Sequence, residues 1–167
     1  KVSSGDFSAG DLGTALDPYL GRIADEMAAA GCMGRKTVAF LPLVATSKKF
    51  AAALAERGFD AMEVNGDSPD RAETLARFDA AGPGSVLCNS MLLTEGWDCP
   101  SVDCVVVLRA TKVRSLYVQM VGRGTRLSPD LFGPGKDKVG FLAFDWYDNF
   151  RYFNATNTWS TVQGSGK

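Results

Sequence analysis

The sequence predicts an α/β domain in which helices cover both faces of a mostly parallel central sheet. Three observations predict it. Short β-rich apolar runs alternate with segments of helical period along the chain. One of those runs, VDCVVVL at 102–108, is apolar but for Asp103, the pattern of a strand buried on both faces. The 167 residues, 46% hydrophobic and 22% charged, suit one globular domain with a sizeable core.

The elements follow in order. Residues 1–13 are polar and rich in Gly and Ser, and read as a linker. From 14 to 30, Leu16, Leu20, Ile23 and Met27 recur at helical spacing, and Gly31 is the expected stop. TVAFL at 37–41 is a strand that Pro42 ends. Ser47 is the expected cap of a helix running to Arg57, with Phe50 and Leu54 inward and Gly58 closing it. Residues 61–64 form a second strand and Asn65-Gly66-Asp67 a turn. Ser68-Pro69 reads as a cap followed by Pro at the first position of a helix that carries Leu75 and Phe78. Residues 85–88 and 102–108 are the third and fourth strands. A helix is expected over 113–123, a Gly/Pro loop over 131–138 and a last strand over 139–144. The domain therefore spans 14–145. Residues 146–167 mix aromatics with Asn, Thr, Ser and Gly and form an extension of unassigned structure. The chain opens without Met, as expected of a piece of a longer protein.

Composition narrows the chemistry. The 18 basic residues balance 19 acidic ones to a net charge of −1, so any nucleic-acid contact must be local. Histidine is absent, which removes imidazole acid–base chemistry, Ser-His and Cys-His nucleophiles and His-based metal sites, and no metal site is expected. The cysteines Cys32, Cys88, Cys99 and Cys104 form no CxxC pair and sit mostly in apolar runs, which favours reduced thiols and a cytoplasmic location. No apolar run has the length of a membrane span.

Two segments carry the chemistry. In YVQMVGRGTRL at 117–127, Gln119, Arg123 and Arg126 stand at positions 0, 4 and 7. On one helix they form a polar stripe within roughly 60° of arc, beside an apolar arc of Val113, Leu116, Tyr117 and Met120. In SMLLTEGWDCP at 90–100, a Gly-x-Asp follows the third strand, at the carboxyl end of which open α/β sheets place ligands. Gly96 permits a tight backbone there, and Asp98 can accept hydrogen bonds from a ribose. Taken singly, each segment also fits a solvated helix face or an ordinary turn.

EGWDCP followed about twenty residues later by QMVGRGTR, with a buried strand between, resembles motifs V and VI of superfamily 2 helicases of the DEAD/DEAH type. TVAFLPLVATSKKFAAALAERG is similar to that family's motif IV strand and helix, and EVNGDSPDRAETLARF to its next segment, with Gly66, Arg71 and Phe78 in matching places. The resemblance covers about residues 36–145. It implies a RecA-like three-layer sandwich, the second motor domain of an ATP-dependent helicase or translocase. Arg126 is then the arginine finger. Arg123 faces the phosphates or holds the two motor domains together, and Gln119 contacts the nucleotide or the partner's catalytic segment. Gly96, Asp98 and Glu95 lie by the ribose and the interdomain cleft. Ser90, Pro42, Leu43, Asn65, Gly66 and Lys112 line the nucleic-acid track, with Lys48, Lys49 and Arg114 adding diffuse attraction. A finger from outside the pocket makes hydrolysis depend on domain closure.

The resemblance also implies partners. No Walker A loop, GxxxxGK(S/T), and no Walker B segment occur in the chain. Gly34-Arg35-Lys36-Thr37, Gly133-Pro134-Gly135-Lys136 and Asp25-Glu26 imitate them without the required context. ATP and Mg²⁺ are therefore expected mainly on an N-terminal RecA-like domain of the same parent chain, and the isolated domain is expected to be inactive. LLTEGWDCP, with Gln rather than His opening the last motif, is most similar to DNA-directed restriction, repair and phage-type motors, which favours DNA as the track. The competing expectations are a non-motor nucleotide-binding α/β module, which would bind nucleotide tightly by itself, and a helicase-like domain that serves only as a protein-interaction module.

Overall fold

The computed structural model describes residues 2–3, 6–90 and 97–156. A short antiparallel ladder of β1 (Val2–Ser3) and β2 (Asp6–Phe7) precedes the domain body. Five strands then form one sheet: β3 (Thr37–Phe40), β4 (Asp60–Val64), β5 (Ser85–Asn89), β6 (Cys104–Val107) and β7 (Leu142–Asp145). Their order is β4-β5-β3-β6-β7, and every neighbouring pair is parallel. The expectation of a mostly parallel sheet is met by a wholly parallel one among the described residues.

The period of two along each strand divides the core. Ala39, Leu41, Cys88, Val106 and Leu108 face one side, where α1 (Ala9–Leu16), α2 (Leu20–Ala29) and α3 (Val44–Ala55) cover them. Val38, Phe40, Leu87, Val105 and Val107 face the other, under Phe78 of α4 (Arg71–Ala80), Tyr117 and Met120 of α5 (Arg114–Gly122) and Phe153 of α6 (Asn149–Thr156). All residues of β3, β5 and β6 are buried, because strands covered on both faces have no solvent side.

Register sets the geometry of the functional surfaces. Phe40 lies opposite both Asn89 and Val107, Asn89 opposite Val64, and Val107 opposite Asp145. The carboxyl ends of all five strands are therefore level and form a common rim.

Several boundaries differ from the sequence reading. The helix expected over 14–30 is two helices joined by a 3-10 turn at Asp17–Tyr19, since Pro18 lacks the N–H that a continuous helix needs. α1 starts at Ala9, inside the stretch read as linker, because the Ser8 hydroxyl accepts from the Asp11 N–H. Gly13 lets α1 approach β3's exit loop: a Cβ there would stand 2.6 Å from Leu43 Cδ1. α3 begins at Val44, so Ser47 is an interior, buried residue rather than a cap. Ser68 does not cap α4 either; its hydroxyl accepts from the Asn65 N–H and closes the turn after β4, and the helix starts at Arg71. β6 is shorter than expected, because Asp103 leaves the strand ladder and its carboxylate receives the Lys36 N–H at 2.8 Å and the Arg35 guanidinium at 3.3 Å. β7 starts at Leu142, and Val139 is 96% exposed. Part of the unassigned extension is the helix α6.

Lys36, the lysine of the false P-loop, has a structural task. Its ammonium is buried and donates to the carbonyls of Asp79 and Ala81, each at 2.9 Å, and lies 4.8 Å from the centre of the Phe78 ring. It thereby caps the carboxyl end of α4, where carbonyls lack partners and cations are favoured.

Candidate functional site

α5 follows β6 and runs back across the sheet, anchored by Tyr117 and Met120 in the core. Burial, reinforced by the charge of Asp145, pushes the Tyr117 phenol up to about 12, so it stays neutral. The opposite side leaves Gln119 exposed. The helix ends at Gly122 with Arg123 as its cap, and the next turn is held by Gly124 N–H to Val121 O and Thr125 N–H to Gly122 O. Arg126 is thus beyond the helix, and the three-residue stripe is not one helical face. The residues still converge, since all three line one cleft.

Gly124 is required at its position by close approach. A Cβ there would stand 2.3 Å from Cδ2 of Phe141, which precedes β7. This contact places the end of α5 near the amino ends of the strands.

The segment after β5 meets α5 there. Arg123 Nη1 donates to the Trp97 carbonyl at 2.6 Å, and its guanidinium lies 5.8 Å from the centre of the Trp97 ring. Trp97 in turn packs on Phe78, ring centres 6.1 Å apart. Arg126 Nη2 pairs with Asp98 Oδ2 at 2.8 Å, and the two side chains are 62% and 44% exposed. A cleft of about 530 Å³ opens between these groups, lined among the described residues by Trp97, Asp98, Cys99, Gln119, Arg123 and Arg126 as well as Gly122. Lys138 braces it from behind: its buried ammonium donates to the carbonyls of Pro100 (3.1 Å) and Val102 (2.5 Å). Burial holds that ammonium below the ordinary lysine range, while Asp103, Cys99 and Asp98 oppose the shift.

Two always-charged guanidiniums, an amide and a carboxylate thus face one open cleft, a donor set suited to phosphate oxygens and a hydroxylated sugar. Asp98 does not lie at the carboxyl end of β5, where its sequence position suggests it would. Asp98 stands nine residues past Asn89, and by then the chain has returned toward the amino ends of the strands, where Asp103 meets Lys36. Glu95 and Gly96 lie outside the described residues.

The second set of expected residues lies on the rim. Pro42 and Leu43 follow β3, Asn65 and Gly66 follow β4, Ser90 follows β5 and Lys112 lies beyond β6. Gly66 and Lys112 are exposed, and Leu43 is half-buried beneath α1. Asn65 is buried, with its amide spent on Glu63 and on the Asp67 N–H. Ser90 is buried, and its hydroxyl has no hydrogen-bond partner among the described residues. Lys49 pairs with Asp17, while Lys48 is exposed.

A family model described as the helicase conserved C-terminal domain matches residues 23–128. The chain belongs to this helicase C-terminal domain family. The helicase domain is 39% identical over 116 residues to the mitochondrial ATP-dependent helicase irc3 of Schizosaccharomyces pombe, covering 69% of this chain and 18% of that protein. It is 34% identical over 88 residues to the Type I restriction enzyme EcoKI endonuclease subunit of Escherichia coli, covering 53% of this chain and 7% of that one. Among solved structures, an HsdR subunit fragment of a type I restriction enzyme from Vibrio vulnificus matches 90% of the chain and 30% of its own length, with TM-score 0.69 and 25% identity. Domain 2 of the DEAD-box helicase Mss116p shares the fold, with TM-score 0.56 at 18% identity over 80% of this chain and 50% of that one. The helicase domain therefore spans less than a fifth of the curated relatives named here. The RecA-like fold of superfamily 2 helicase C-terminal domains is thus established.

Trp97 is the residue of this site that sequence reasoning passed over. It was visible inside EGWDCP as the motif's one aromatic, but nothing in the spacing shows that it would carry Arg123. Among the described residues of the helicase domain no helix is long and apolar enough to cross a membrane. The S. pombe relative is mitochondrial by name, so kinship does not assign this domain to the cytoplasm.

Proposed function

We propose that this chain is the second motor domain of an ATP-dependent helicase or translocase, with Arg126 as the arginine finger for ATP held mainly by an N-terminal RecA-like domain of the same parent. The observation that carries the reading is the convergence of Gln119, Arg123, Arg126 and Asp98 on one open cleft, away from a rim that collects the expected nucleic-acid residues.

The geometry supports distinct tasks. Arg123 donates to the Trp97 carbonyl and lies against its ring, so it holds Trp97 against the end of α5. Arg126 is the more exposed member, held by Asp98 alone among the ion pairs described. Its pair with Asp98 is exposed on both sides, and such pairs are worth roughly 0–1 kcal/mol. A triphosphate entering from the partner domain can take the guanidinium from Asp98 at little cost, releasing the carboxylate toward the ribose. The Gln119 amide lies beside this exchange. Mg²⁺, held with the phosphates on the partner domain, supplies charge neutralisation there. Without a Walker A loop the chain does not hydrolyse ATP by itself. Kinship with a restriction endonuclease subunit favours DNA as the track, contacted at the rim through phosphates rather than base edges.

The test is nucleic-acid-stimulated ATPase of the full-length parent carrying Arg126→Ala. A loss of about 10³-fold or more in turnover is expected, with Asp98→Asn changing KM more than kcat. Hydrolysis near wild type in Arg126→Ala would remove the finger assignment.

A further inference from the structure

A second pocket sits on the rim itself, assembled from residues mostly outside the stretch matched by the helicase family, 23–128. Its volume is about 260 Å³, and its walls include Phe7, Leu12, Ala110, Lys112, Tyr147 and Tyr152. Two remote segments are pinned together to make it. The Asp6 carboxylate accepts from the Thr111 hydroxyl and from the Lys112 N–H, both at 2.8 Å, which ties β2 to the chain leaving β6. Asn149, at the start of α6, accepts from the Thr111 N–H at 2.9 Å and donates to the Arg109 carbonyl at 3.1 Å. Burial raises the Asp6 carboxyl, but the N–H groups of Lys112 and Phe7, the Thr111 hydroxyl and the charge of Arg109 outweigh it and hold it below its ordinary value.

These bonds consume the polar atoms of Asp6, Thr111 and Asn149. The pocket's partly exposed members are aromatic and cationic: Phe7 is 36% exposed, Tyr152 is 43% exposed, and Lys112 Nζ stands 5.0 Å from the centre of the Phe7 ring. Partly exposed aromatic residues beside a lysine are the chemistry that stacks bases without reading them. The volume lies below the ~300–1,000 Å³ of pockets for drug-sized ligands, a size for a single planar ring. The location adds to this, since residues 110–112 leave β6 on the same rim as Gly66 and Ser90.

We propose that this pocket receives one unstacked base of a single-stranded nucleic acid between Phe7 and Tyr152, with Lys112 on an adjacent phosphate. The proposal rests on the reading of the rim as the nucleic-acid track. It makes β2 and α6 part of that track and adds a sequence-tolerant stacking site to its phosphate contacts.

The experiment measures binding of the full-length chain, by fluorescence anisotropy, to a labelled oligothymidylate and to its abasic counterpart, with an oligouridylate arm to separate DNA from RNA. Phe7→Ala and Tyr152→Ala are expected to weaken binding to the base-bearing strand by about five- to a hundredfold and to leave the abasic strand unchanged. Phe7→Leu, which keeps apolar packing but removes the aromatic face, is expected to follow Phe7→Ala. Lys112→Ala is expected to weaken both strands and to reduce the salt slope by about 0.7. Wild-type affinity in Phe7→Leu and Tyr152→Ala, or an equal loss on both strands, overturns the base pocket while the track reading stands. Failure of the wild type to bind any of the strands overturns both.

Discussion

Replacing Lys36 by Met tests whether the lysine of the P-loop-like GRKT run is purely structural. Methionine keeps the aliphatic length and apolar fit but removes two charge-assisted hydrogen bonds, to the carbonyls of Asp79 and Ala81, and the contact with the Phe78 ring. A hydrogen bond to a charged group contributes about 1.5–3 kcal/mol, and a cation over an aromatic ring about 0.5–2 kcal/mol. One ammonium makes all three contacts, so they do not add, and the substitution also relieves the cost of burying the charge. The expected loss is about 2–4 kcal/mol. For a domain of this size that lowers Tm by about 4–16 °C. Thermal and urea unfolding of Lys36→Met beside the exposed control Lys48→Met measures it, the control staying within about 0.5 kcal/mol. ATP binding by the parent, measured under conditions where both variants are folded, is expected to be unchanged. A melting point within 2 °C of wild type, or lost ATP binding at retained stability, would refute the capping role.

Gly124→Ala places a methyl group against the Phe141 ring and is expected to cost about 1–3 kcal/mol and to depress parental ATPase by displacing Arg126; unfolding and turnover assays check both. All four thiols are buried, and burial raises Cys88 and Cys99 above the ordinary thiol value. Mass spectrometry after brief iodoacetamide treatment is therefore expected to find no labelling in the folded chain and full labelling in denaturant. The Asp6 carboxyl is held below the ordinary carboxylate value, so its folded-state stabilisation is present above that value and is lost as pH falls through the lower folded one. Protection of the Phe7 and Lys112 amides relative to their intrinsic exchange rates is expected to fall below about pH 4, and Asp6→Asn is expected to abolish that pH dependence.

The sheet was legible because its strands obey one rule: a strand covered on both faces reads as an apolar run, and β3, β5 and β6 each do. Boundaries were less legible, because several polar residues form contacts other than the local ones their positions suggest. Ser68 has the residue type and neighbour of a helix cap, but its hydroxyl closes the Asn65 turn instead. Asp103 interrupts an apolar run as though by accident, yet it receives groups from Lys36 and Arg35 more than sixty residues away, which no local pattern encodes. The cleft shows the same division. Arg123 and Arg126 were legible by spacing, although the helix that justified the spacing ends before Arg126. Trp97 and the Phe7–Tyr152 pocket were not, since each depends on a tertiary approach between distant segments.

The separation of rim and cleft constrains how such a motor couples its two tasks. Both surfaces are mounted on the same sheet: α5, which ends at the cleft, starts just past Lys112 on the rim, and its core side chains Tyr117 and Met120 are locked against Val105 and Val107. Close-packed interiors do not deform continuously. Nor is the Arg126–Asp98 pair, at roughly 0–1 kcal/mol, strong enough to drive rearrangement of that core when it opens. Under the motor reading, a nucleotide that captures Arg126 must therefore move the domain as a body, and the rim moves with it. Coupling then resides in the rotation of this domain against its partner, with the rigid β6–α5 unit as the lever that links phosphate to track.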